Sequence, residues 1–398
     1  MSGFAEFLLA VLALPAAFAS GYLLLITLLS WRLPVPRPSS RQMCFDIIVP
    51  AHNEEDGISR VVQSLLAIDW PRDRFRVLVV ADNCSDATAS IARAHGAHVL
   101  ERRDLTLRGK GYALAYAFDW SKKDGFAKAV VVIDADAVAT PNLLEAFAAR
   151  IERGAVALQA HYGVLNPRSS WRTELMAIAT GAFHSVRSRA RERCGVSAGV
   201  RGNGWCVTHE LLLKVPYEHF SLAEDLEFGI ALGLAGYRVE YAGEAQSDAD
   251  MVATEKNSRS QRQRWEQGRL ELVRLNTGPL LRAAFQRRSL VCLDLAFDLI
   301  VPPLSYVVLN IVLLGALAGV LSLWIPAALP WAWCALACAA ALVLHVLRGW
   351  QLSGVGARGL LAFAHVPGFI LWRLWLLLAG KPAEWVRTER EKRKAEST

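Results

Sequence analysis

Five apolar residues run directly into two carboxylates in the segment AVVVIDAD, Ala129–Asp136. A short run of β-branched residues predicts a strand that is buried on both faces of a sheet. Alternate residues of an extended segment point to the same side, so we expect Asp134 and Asp136 to lie together. Two like charges at that spacing are costly unless a cation joins them, and a divalent ion that also holds a diphosphate suits such oxygen ligands. A solvated turn is the alternative interpretation.

Strand and helix patterns alternate on the N-terminal side of this segment. Strands are predicted at Phe45–Val49, Phe75–Ala81 and Ala97–Leu100, and helices at Ile58–Ile68, Ser85–Ala94 and Tyr112–Trp120. Such a series predicts an α/β domain with a mostly parallel sheet. Ligands of these sheets bind beyond the carboxyl ends of the strands, so the polar residues that follow each strand are the candidates for function.

Polar residues follow the first two predicted strands as well. The segment PAHNEE, Pro50–Glu55, comes after the first strand, and DNCSD, Asp82–Asp86, comes after the second. With Asp134–Asp136 they bring three acidic groups to one edge of the sheet. Helix capping or turn chemistry explains any one group alone, but their convergence predicts a ligand site.

Three later segments carry weaker signals. In Arg102–Gly111, glycines with Arg108 and Lys110 precede a predicted helix, an arrangement suited to a phosphate. The glycine-flanked turn Arg201–Trp205 either borders a substrate or is only a tight connection. In SLAEDLE, Ser221–Glu227, a carboxylate could act as a general base on a hydroxyl. The same acids would also stabilise a helix N-terminus, and both interpretations can hold together.

The segment SRSQRQRW, Ser258–Trp265, completes the candidate site. In a helix, Gln261, Arg264 and Trp265 share one face. A guanidinium fork suits phosphate oxygens, and an indole ring suits a sugar ring or an apolar chain. The alternative is a basic surface helix that is anchored by one tryptophan.

Apolar residues make up 53% of the 398-residue chain and concentrate at its two ends. Phe7–Trp31 carries no charge and is long enough to cross a bilayer. We favour an uncleaved span over a signal peptide, because no basic residue precedes it and the apolar run continues past the cleavage-like site. Basic residues first appear at Arg32, Arg37 and Arg41, which predicts a cytoplasmic domain after the span. A proline-rich linker is expected over residues 32–44.

The C-terminal third predicts further membrane segments. Glu266–Arg288 is expected to lie in the bilayer interface, or else to be an amphipathic core helix. Spans are predicted at Leu299–Ile325 and Trp331–Leu347. Leu360–Ala379 contains costly polar residues and precedes a basic tail at 381–398, so we expect it to be re-entrant or interfacial. The predicted units are therefore 1–31, 32–44, 45–258, 259–289, 290–348, 349–380 and 381–398.

Charge and cysteine content exclude some classes of protein. The net charge of +7 fits cytoplasmic faces and anionic lipid, and no compact basic-aromatic patch indicates nucleic acid. The seven cysteines are scattered, odd in number and without paired spacing. Neither a disulfide framework nor a zinc site is expected.

Taken in order, the motifs from Ile48 to Trp265 resemble those of the membrane-bound family 2 inverting glycosyltransferases. The branch is that of the bacterial cellulose, hyaluronan and chitin-oligosaccharide synthases, with ceramide glucosyltransferases as more distant relatives. The residues that carry the resemblance are Asp82, Asp134-Ala135-Asp136, Glu224-Asp225 and Gln261-x-x-Arg264-Trp265. It implies a GT-A fold and a nucleotide-diphosphate sugar donor, most simply a UDP-sugar.

The resemblance also implies a role for each matching residue. Donor-binding residues would be Pro50, His52, Glu54, Asp82, Lys110, Asp134, Ala135, Gln261 and Arg264. Asp134 and Asp136 would hold Mg²⁺ or Mn²⁺. Asp225, preceded by Glu224, would deprotonate the acceptor hydroxyl. The acceptor would be bordered by Trp265, Gly202, Asn203 and Gly204.

The predicted function is inverting sugar transfer to a carbohydrate in polysaccharide synthesis at a bacterial inner membrane. Transfer of a single sugar to a lipid acceptor is the alternative, and a non-catalytic scaffold or export subunit is a more distant one. His52 and Ala223 stand where many relatives have Tyr and Thr. The region after Trp265 is short for a polymer channel, which leaves the length of the product open. The sequence does not predict the oligomeric state.

Overall fold

The computed structural model describes the backbone of residues 2–251, 255–366 and 368, and the side chains of residues 3–251, 268–366 and 368. Its central feature is one eight-stranded sheet of order β3-β2-β1-β4-β7-β6-β8-β5. The strands are β1 (Phe45–Ala51), β2 (Phe75–Asp82), β3 (His98–Arg102), β4 (Ala129–Val132), β5 (Ala137–Ala139), β6 (Ala157–Val164), β7 (Trp205–Thr208) and β8 (Glu240–Ala249).

The sheet is mixed but has more parallel than antiparallel pairings among its strands. Parallel pairs join β1 to β2 and β4, β2 to β3, and β6 to β8. Antiparallel pairs join β7 to β4 and β6, and β5 to β8. This arrangement confirms the predicted mostly parallel α/β sheet. Because β1 lies between β2 and β4, the carboxyl ends of these three strands form one continuous edge.

Helices cover both faces of the sheet and extend beyond it. They are α1 (Ser2–Leu29), α2 (Ile58–Leu66), α3 (Thr88–Ala94), α4 (Lys110–Asp124), α5 (Leu143–Ile151), α6 (Trp171–Thr180), α7 (Arg187–Arg193), α8 (His209–Lys214), α9 (Glu224–Leu234), α10 (Glu255–Arg287), α11 (Leu290–Ile300), α12 (Leu304–Ser322), α13 (Leu329–Ser353) and α14 (Arg358–Ala362). A π-helix at Gly181–Val186 joins α6 to α7. Short 3₁₀ turns lie at Arg72–Arg74, Pro326–Ala328 and Phe363–His365.

The β-branched runs form strands because their side chains fill a core on each face of the sheet. Phe45, Ile47 and Val49 point into one core, whereas Ile48 and Val132 point into the other. Each of these side chains is fully buried. Strand β1 also extends two residues beyond the predicted end, so Pro50 and Ala51 lie within it and the polar loop starts at His52.

Asp134 and Asp136 lie in a turn, not in the extended segment that was predicted for them. Strand β4 ends at Val132, and the chain then turns before β5 begins at Ala137. The backbone N–H of Ala137 donates to the carbonyl of Asp134 at 3.0 Å, which closes this turn. A turn lets the two carboxylates meet different partners, because neighbouring side chains no longer alternate as they do in a strand.

In the described parts of the chain, three helical segments are long and apolar enough to cross a membrane. They are Gly3–Leu29, Leu304–Ser322 and Pro326–Ser353. Their helices pack against one another through a shared apolar core that includes Leu23, Leu314 and Leu342. The second segment starts at Leu304 rather than the predicted Leu299, because the two prolines before it interrupt the helix.

Helices α10 and α11 pack against each other and against α9, and α11 also contacts the first span through Phe297 and Phe18. Leu272 and Leu280 of α10 pack against Leu295 of α11, while Leu275 and Phe285 of α10 are exposed. The segment predicted to be interfacial therefore has one face in the protein core and further apolar residues on its surface. The second half of the predicted re-entrant segment 360–379 and the tail 381–398 lie outside the described residues.

Candidate functional site

Asp82 ends strand β2 and is held by a basic residue of the neighbouring strand. Arg102 donates to its carboxylate at 2.6 Å, and both side chains are about nine-tenths buried. The amide of Asn83 donates to the same carboxylate at 3.2 Å. The position follows from the parallel register, which sets Asp82 opposite Arg102. This pairing gives Asp82 one fixed orientation at the sheet edge.

The loop after β1 lies against the end of β2. A ring nitrogen of His52 is 2.7 Å from the carbonyl oxygen of Asp82. The backbone N–H of Glu54 donates to the Thr88 hydroxyl at 2.7 Å. The side chain of Glu54 is half-buried at the carboxyl edge of the sheet. Asn53 adopts a positive φ of 56°, and its side-chain oxygen accepts from the Ser85 N–H at 2.8 Å. These contacts bring the two predicted loops together.

Lys110, the first residue of α4, is the centre of a second group of contacts. Its ammonium donates to the carboxylate of Asp134 and, at 2.7 Å, to the carbonyl of Gly202. It also lies 3.9 Å from a carboxylate oxygen of Glu224. Four segments that are distant in sequence therefore meet at one cation. We refer to Lys110, Asp134, Glu224 and Asp225 as the acid cluster.

Burial perturbs the ionisation of the acid cluster. Loss of solvent raises the pKa of Glu224 to about 7, with Lys110 opposing this rise and Asp225 adding to it. Burial raises the pKa of Asp225 as well, again against Lys110. Burial alone would lower the pKa of Lys110, but the three carboxylates outweigh it and hold the pKa above its ordinary value. Lys110 therefore stays charged, while burial favours the protonated forms of Glu224 and Asp225.

The glycine-flanked turn lies directly against the predicted base. Gly202 has a φ of +83°, and a Cβ built on it would be 3.2 Å from a carboxylate oxygen of Asp225. A side chain at this position would therefore be strained and crowded. Gly204 also has a positive φ, and a Cβ there would be 2.8 Å from the Cβ of Ser247.

Asn203 is fully buried and braces the turn between these two glycines. Its side-chain oxygen accepts from the Asp134 N–H at 3.1 Å, and its amide donates to the Ser247 carbonyl at 3.1 Å. Gln159 donates to the Asn203 carbonyl at 2.7 Å. Asn203 was predicted to border the acceptor, but its described contacts are with the protein framework.

Helix α10 contains the whole segment predicted to be helical, Ser258–Trp265. The side chains of Gln261, Arg264 and Trp265 lie outside those that the structure describes. Three residues beyond Trp265, a Cβ on Gly268 would be 3.0 Å from the Cβ of Ala223. The helix therefore passes directly beside the residue that precedes Glu224.

The aspartates of the 129–136 segment differ in their surroundings. Asp134 binds Lys110, whereas the backbone carbonyl of Asp136 accepts from Arg60 at 3.3 Å. Both carboxylates are half-buried, and Ala135 between them is buried. Their oxygen atoms suit Mg²⁺ or Mn²⁺. Among the described residues, no group of three or more His, Cys, Asp or Glu side chains has a geometry that could hold a metal ion.

One tyrosine is affected by three of these carboxylates. Burial raises the pKa of Tyr162 well above its ordinary value, and the charges of Asp134, Asp136 and Asp225 raise it further. This phenol in β6 is therefore within electrostatic range of all three acids. Sequence reasoning missed Tyr162, because it follows a glutamine and a histidine in a strand with no acidic motif.

An arginine cluster behind the glycine turn was also missed. Asp298 of α11 forms ion pairs with Arg187, Arg191 and Arg201 at 2.7, 3.1 and 3.4 Å. Asp294 pairs with Arg191 at 2.9 Å. The available signal was the two aspartates four residues apart in an otherwise apolar helix. Charged residues in such a setting require partners.

The family model described as "Glycosyltransferase like family 2" matches residues 42–268. The chain belongs to this family. The match spans the loops after β1, β2 and β4, the acid cluster and the start of α10. The more specific synthase branch remains a prediction.

Several curated proteins are similar over more than half of this chain. The probable glycosyltransferase YdaM of Bacillus subtilis is 26% identical over 57% of this chain and 55% of its own length. A beta-monoglucosyldiacylglycerol synthase of Synechocystis is 28% identical over 59% of this chain and 48% of its own. The chain thus spans about half the length of these relatives.

A solved structure supports the fold. The mannosyltransferase PcManGT from Pyrobaculum calidifontis, in complex with GDP-Man and Mn²⁺, aligns with a TM-score of 0.51 at 19% identity. The alignment covers 84% of this chain and 98% of that one. At this identity the likeness shows the fold alone, and it agrees with the GT-A fold that the sequence motifs imply.

Proposed function

We propose that the protein is an inverting glycosyltransferase that moves a sugar from a nucleotide-diphosphate donor to the hydroxyl of a lipid acceptor. One observation carries the proposal: Asp225 is a half-buried carboxylate beside Gly202, and the charges of Lys110 and Asp134 act on its ionisation. A base, a cation and further carboxylates therefore surround one space at the carboxyl edge of the sheet, where ligands of such folds bind.

The donor would lie along that edge. Pro50, His52, Glu54 and Asp82 would contact the base and ribose, since their loops meet beside β1 and β2. Asp134 and Asp136 would hold a divalent cation against the diphosphate, whose growing negative charge the cation stabilises. Gln261 and Arg264 would bind the same diphosphate, because α10 passes beside the acid cluster. A UDP-sugar is the predicted donor; the structural neighbour is a complex with GDP-Man, so both nucleotides belong in the test.

The chemistry needs one base and no covalent intermediate. Asp225 would take the proton from the acceptor hydroxyl as its oxygen forms a bond to the anomeric carbon. The bond from that carbon to the diphosphate oxygen breaks, and the diphosphate leaves with the electron pair. Attack from the face opposite the leaving group inverts the anomeric configuration. Gly202 and Trp265 would border the acceptor, and the buried Asn203 and Gly204 would hold the glycine turn in place.

The lipid acceptor is favoured by the arrangement of the membrane helices. Helix α9, which begins at Glu224, packs with α10 and α11 in one apolar cluster, and Phe297 of α11 contacts Phe18 and Tyr22 of the first candidate span. A relative that is a beta-monoglucosyldiacylglycerol synthase fits this choice. We place the protein in the inner membrane with its catalytic domain in the cytoplasm, because Arg32, Arg37 and Arg41 follow the first span. Polysaccharide synthesis, the function first predicted, stays untested.

The base is tested by comparing Asp225→Asn with Glu224→Gln in the full-length purified protein. Nucleoside diphosphate release is measured with UDP- and GDP-sugars, Mn²⁺ and lipid acceptor. We expect Asp225→Asn to lower kcat at least 100-fold, the ordinary contribution of a general base, and Glu224→Gln to lower it less. Equal release by wild type and Asp225→Asn would refute the assigned base.

Metal binding is tested separately by calorimetry. Asp136→Ala should abolish metal-dependent binding of the nucleoside diphosphate, because it removes one of the two proposed carboxylate ligands. Glu55→Ala, an exposed acid in the first loop, is the matched control and should retain it. An unchanged affinity in Asp136→Ala would contradict the assigned role.

The acceptor class is tested with membranes and a panel of radiolabelled nucleotide sugars. A single labelled lipid product is expected. A ladder of oligomers would instead establish the polysaccharide function, and the absence of any transfer with all donors would favour a scaffold.

A further inference from the structure

Two arginines from other helices contact the end of α1, the helix of the first candidate span. Arg193 of α7 donates to the carbonyls of Leu29 and Arg32, each at 3.0 Å. Arg348 of α13 donates to the hydroxyl of Ser30 at 3.0 Å and to its carbonyl at 2.8 Å. The side chain of Arg32 itself is exposed. Three positive charges from distant parts of the sequence therefore lie around the end of this span.

The charges of these arginines are not balanced by acids. In the described parts of the chain, no carboxylate forms an ion pair with Arg32, Arg193 or Arg348. Capping of the last carbonyls of α1 explains the contacts of Arg193 and Arg348, but those oxygen atoms carry no net charge. A guanidinium has five N–H donors, so Arg193 keeps donors beyond the two that bind carbonyl groups. Like charges gathered in this way favour the binding of an anion.

A cavity of about 370 Å³ lies beside the same end of the span. Leu33 and Pro34 of the linker line one part of it, and Arg153 and Arg193 line another. Arg153 donates to the carbonyl of Arg37 at 3.0 Å, and it too has no carboxylate partner among the described residues. The cavity is thus apolar on the side of the linker and carries two unpaired arginines on the side of the catalytic domain.

The remaining charged residues of the cavity are already paired. Glu192 and Glu240 bind the same arginine, Arg238, at 3.3 and 2.9 Å, and Arg150 pairs with Glu244. Counted with these partners, four arginines stand against three glutamates at the cavity, and Arg32 and Arg348 add two positive charges at the end of the span. The surroundings therefore suit a ligand that carries negative charge.

An aromatic residue indicates that this ligand also has an apolar part. Trp31 is 68% exposed, and the guanidinium carbon of Arg348 lies 5.6 Å from the centre of its ring. Tryptophan is enriched where a bilayer meets water, and the arginines that follow the span predict that this end faces the cytoplasm. A ligand that meets both Trp31 and the arginines would be amphiphilic, as a phospholipid is.

We propose that Arg32, Arg193 and Arg348 bind the phosphate of an anionic phospholipid from the cytoplasmic leaflet, with Trp31 against its glycerol and acyl region. This inference goes beyond sugar transfer and rests on the predicted membrane location. It also has a structural consequence, because α7 carries both Arg193 and two members of the arginine cluster, Arg187 and Arg191. A bound lipid would therefore stabilise the helix that anchors the glycine turn.

The experiment measures lipid binding to the purified full chain in detergent by native mass spectrometry. The probes are phosphatidylglycerol, phosphatidylcholine and, as a soluble competitor, glycerol 3-phosphate. The variants are Arg193→Gln and Arg348→Gln, and Arg193→Lys keeps the charge. Arg72→Gln is the matched control, because Arg72 is likewise exposed, donates to a backbone carbonyl at 3.2 Å and lies over an aromatic ring, but precedes β2 in the catalytic domain. Melting temperatures without lipid establish that each variant is folded.

The wild type should bind phosphatidylglycerol more tightly than phosphatidylcholine. Arg193→Gln and Arg348→Gln should each weaken the binding of phosphatidylglycerol roughly 5-fold, as expected for one basic residue at an anionic membrane surface. Arg193→Lys should keep most of the affinity, and Arg72→Gln should keep all of it. Phosphatidylglycerol should also raise the melting temperature of the wild type more than that of Arg193→Gln, because it binds the folded state.

Equal affinity of the wild type for the two lipids would overturn the inference, as would unchanged affinity in both glutamine variants. Displacement of phosphatidylglycerol by glycerol 3-phosphate at a similar concentration would show that the arginines bind a soluble phosphate and not a lipid. None of these measurements involves sugar transfer, so the inference can fail while the proposed function stands, and the reverse is equally possible.

Discussion

The acid cluster and the arginine cluster differ in burial, and their charge balance is opposite. In the acid cluster, three carboxylates surround Lys110, and the side chains of Lys110 and Asp134 are 29% and 27% exposed. In the arginine cluster, Arg187, Arg191 and Arg201 surround Asp298, and each of these guanidinium side chains is at most 3% exposed.

The difference separates a group that can exchange partners from one that cannot. The acid cluster has more carboxylates than cations and is partly open to solvent, so it can bind a further cation. The metal that accompanies the nucleotide-sugar donor would be that cation. A sealed arginine cluster has no access to ligands, so its ion pairs hold elements in place. Arg201 precedes Gly202, and Arg269 of α10 donates to the Asp298 carbonyl at 2.7 Å. The arginine cluster therefore anchors both the glycine turn and the helix that carries Arg264.

The largest effect should come from breaking the arginine cluster. Asp298→Asn removes the carboxylate shared by three buried guanidinium groups and should destabilise the fold by about 3–5 kcal/mol. Thermal unfolding of the detergent-solubilised protein measures the loss. A melting temperature equal to that of the wild type would mean that Asp298 does not hold this region together.

Removing the central cation of the acid cluster should change the pH dependence of activity. Lys110 lowers the pKa of Asp225, so in Lys110→Met that pKa rises further and the acidic limb of kcat/KM moves to higher pH. The acidic limb of kcat/KM, measured across a range of pH, checks this shift. Lys110→Arg keeps the positive charge, so the acidic limb of its kcat/KM profile should stay at the wild-type pH. If the limb shifts equally in both variants, the charge of Lys110 is not the cause.

Glu224 should make the apo protein less stable at neutral and higher pH. Its pKa in the folded state is about 7, above the ordinary value of 4.5. The folded state binds the proton more tightly, so this stabilisation is complete below pH 4.5 and is lost as pH rises to about 7. Glu224→Gln should therefore melt higher than wild type at pH 8, by up to roughly 3 kcal/mol in free energy. The two proteins should melt alike near pH 4, and an unchanged difference across pH would argue against titration of this group.

The smallest effect is expected on the protein surface. Asp119 pairs with Lys123 four residues away, and these side chains are 55% and 73% exposed. Asp119→Asn should change stability by less than about 0.5 kcal/mol, since water screens such pairs. A melting shift as large as that of Asp298→Asn would show that burial is not what separates the two kinds of ion pair.

Local patterns predicted much of the catalytic domain. The buried strands around Val49, Val79 and Val131 follow from short β-branched runs, and the polar residues after them lie where parallel strands end. The spacing of Gln261, Arg264 and Trp265 also predicted a helix correctly, because α10 spans Ser258–Trp265. The extended conformation predicted for Asp134 and Asp136 was wrong, because the turn there depends on the pairing of β5 with β8, which lies far away in sequence.

The sequence by itself determined the strands, the acidic loops and the apolar spans, because each depends on residues that are close together along the chain. Only the tertiary structure decided which charges meet. Lys110 binds Asp134 and Gly202, 24 and 92 residues away, and Arg201 binds Asp298, 97 residues away. The physical reason is that a side chain's partner and its solvent exposure depend on how elements pack, and no local spacing encodes that packing.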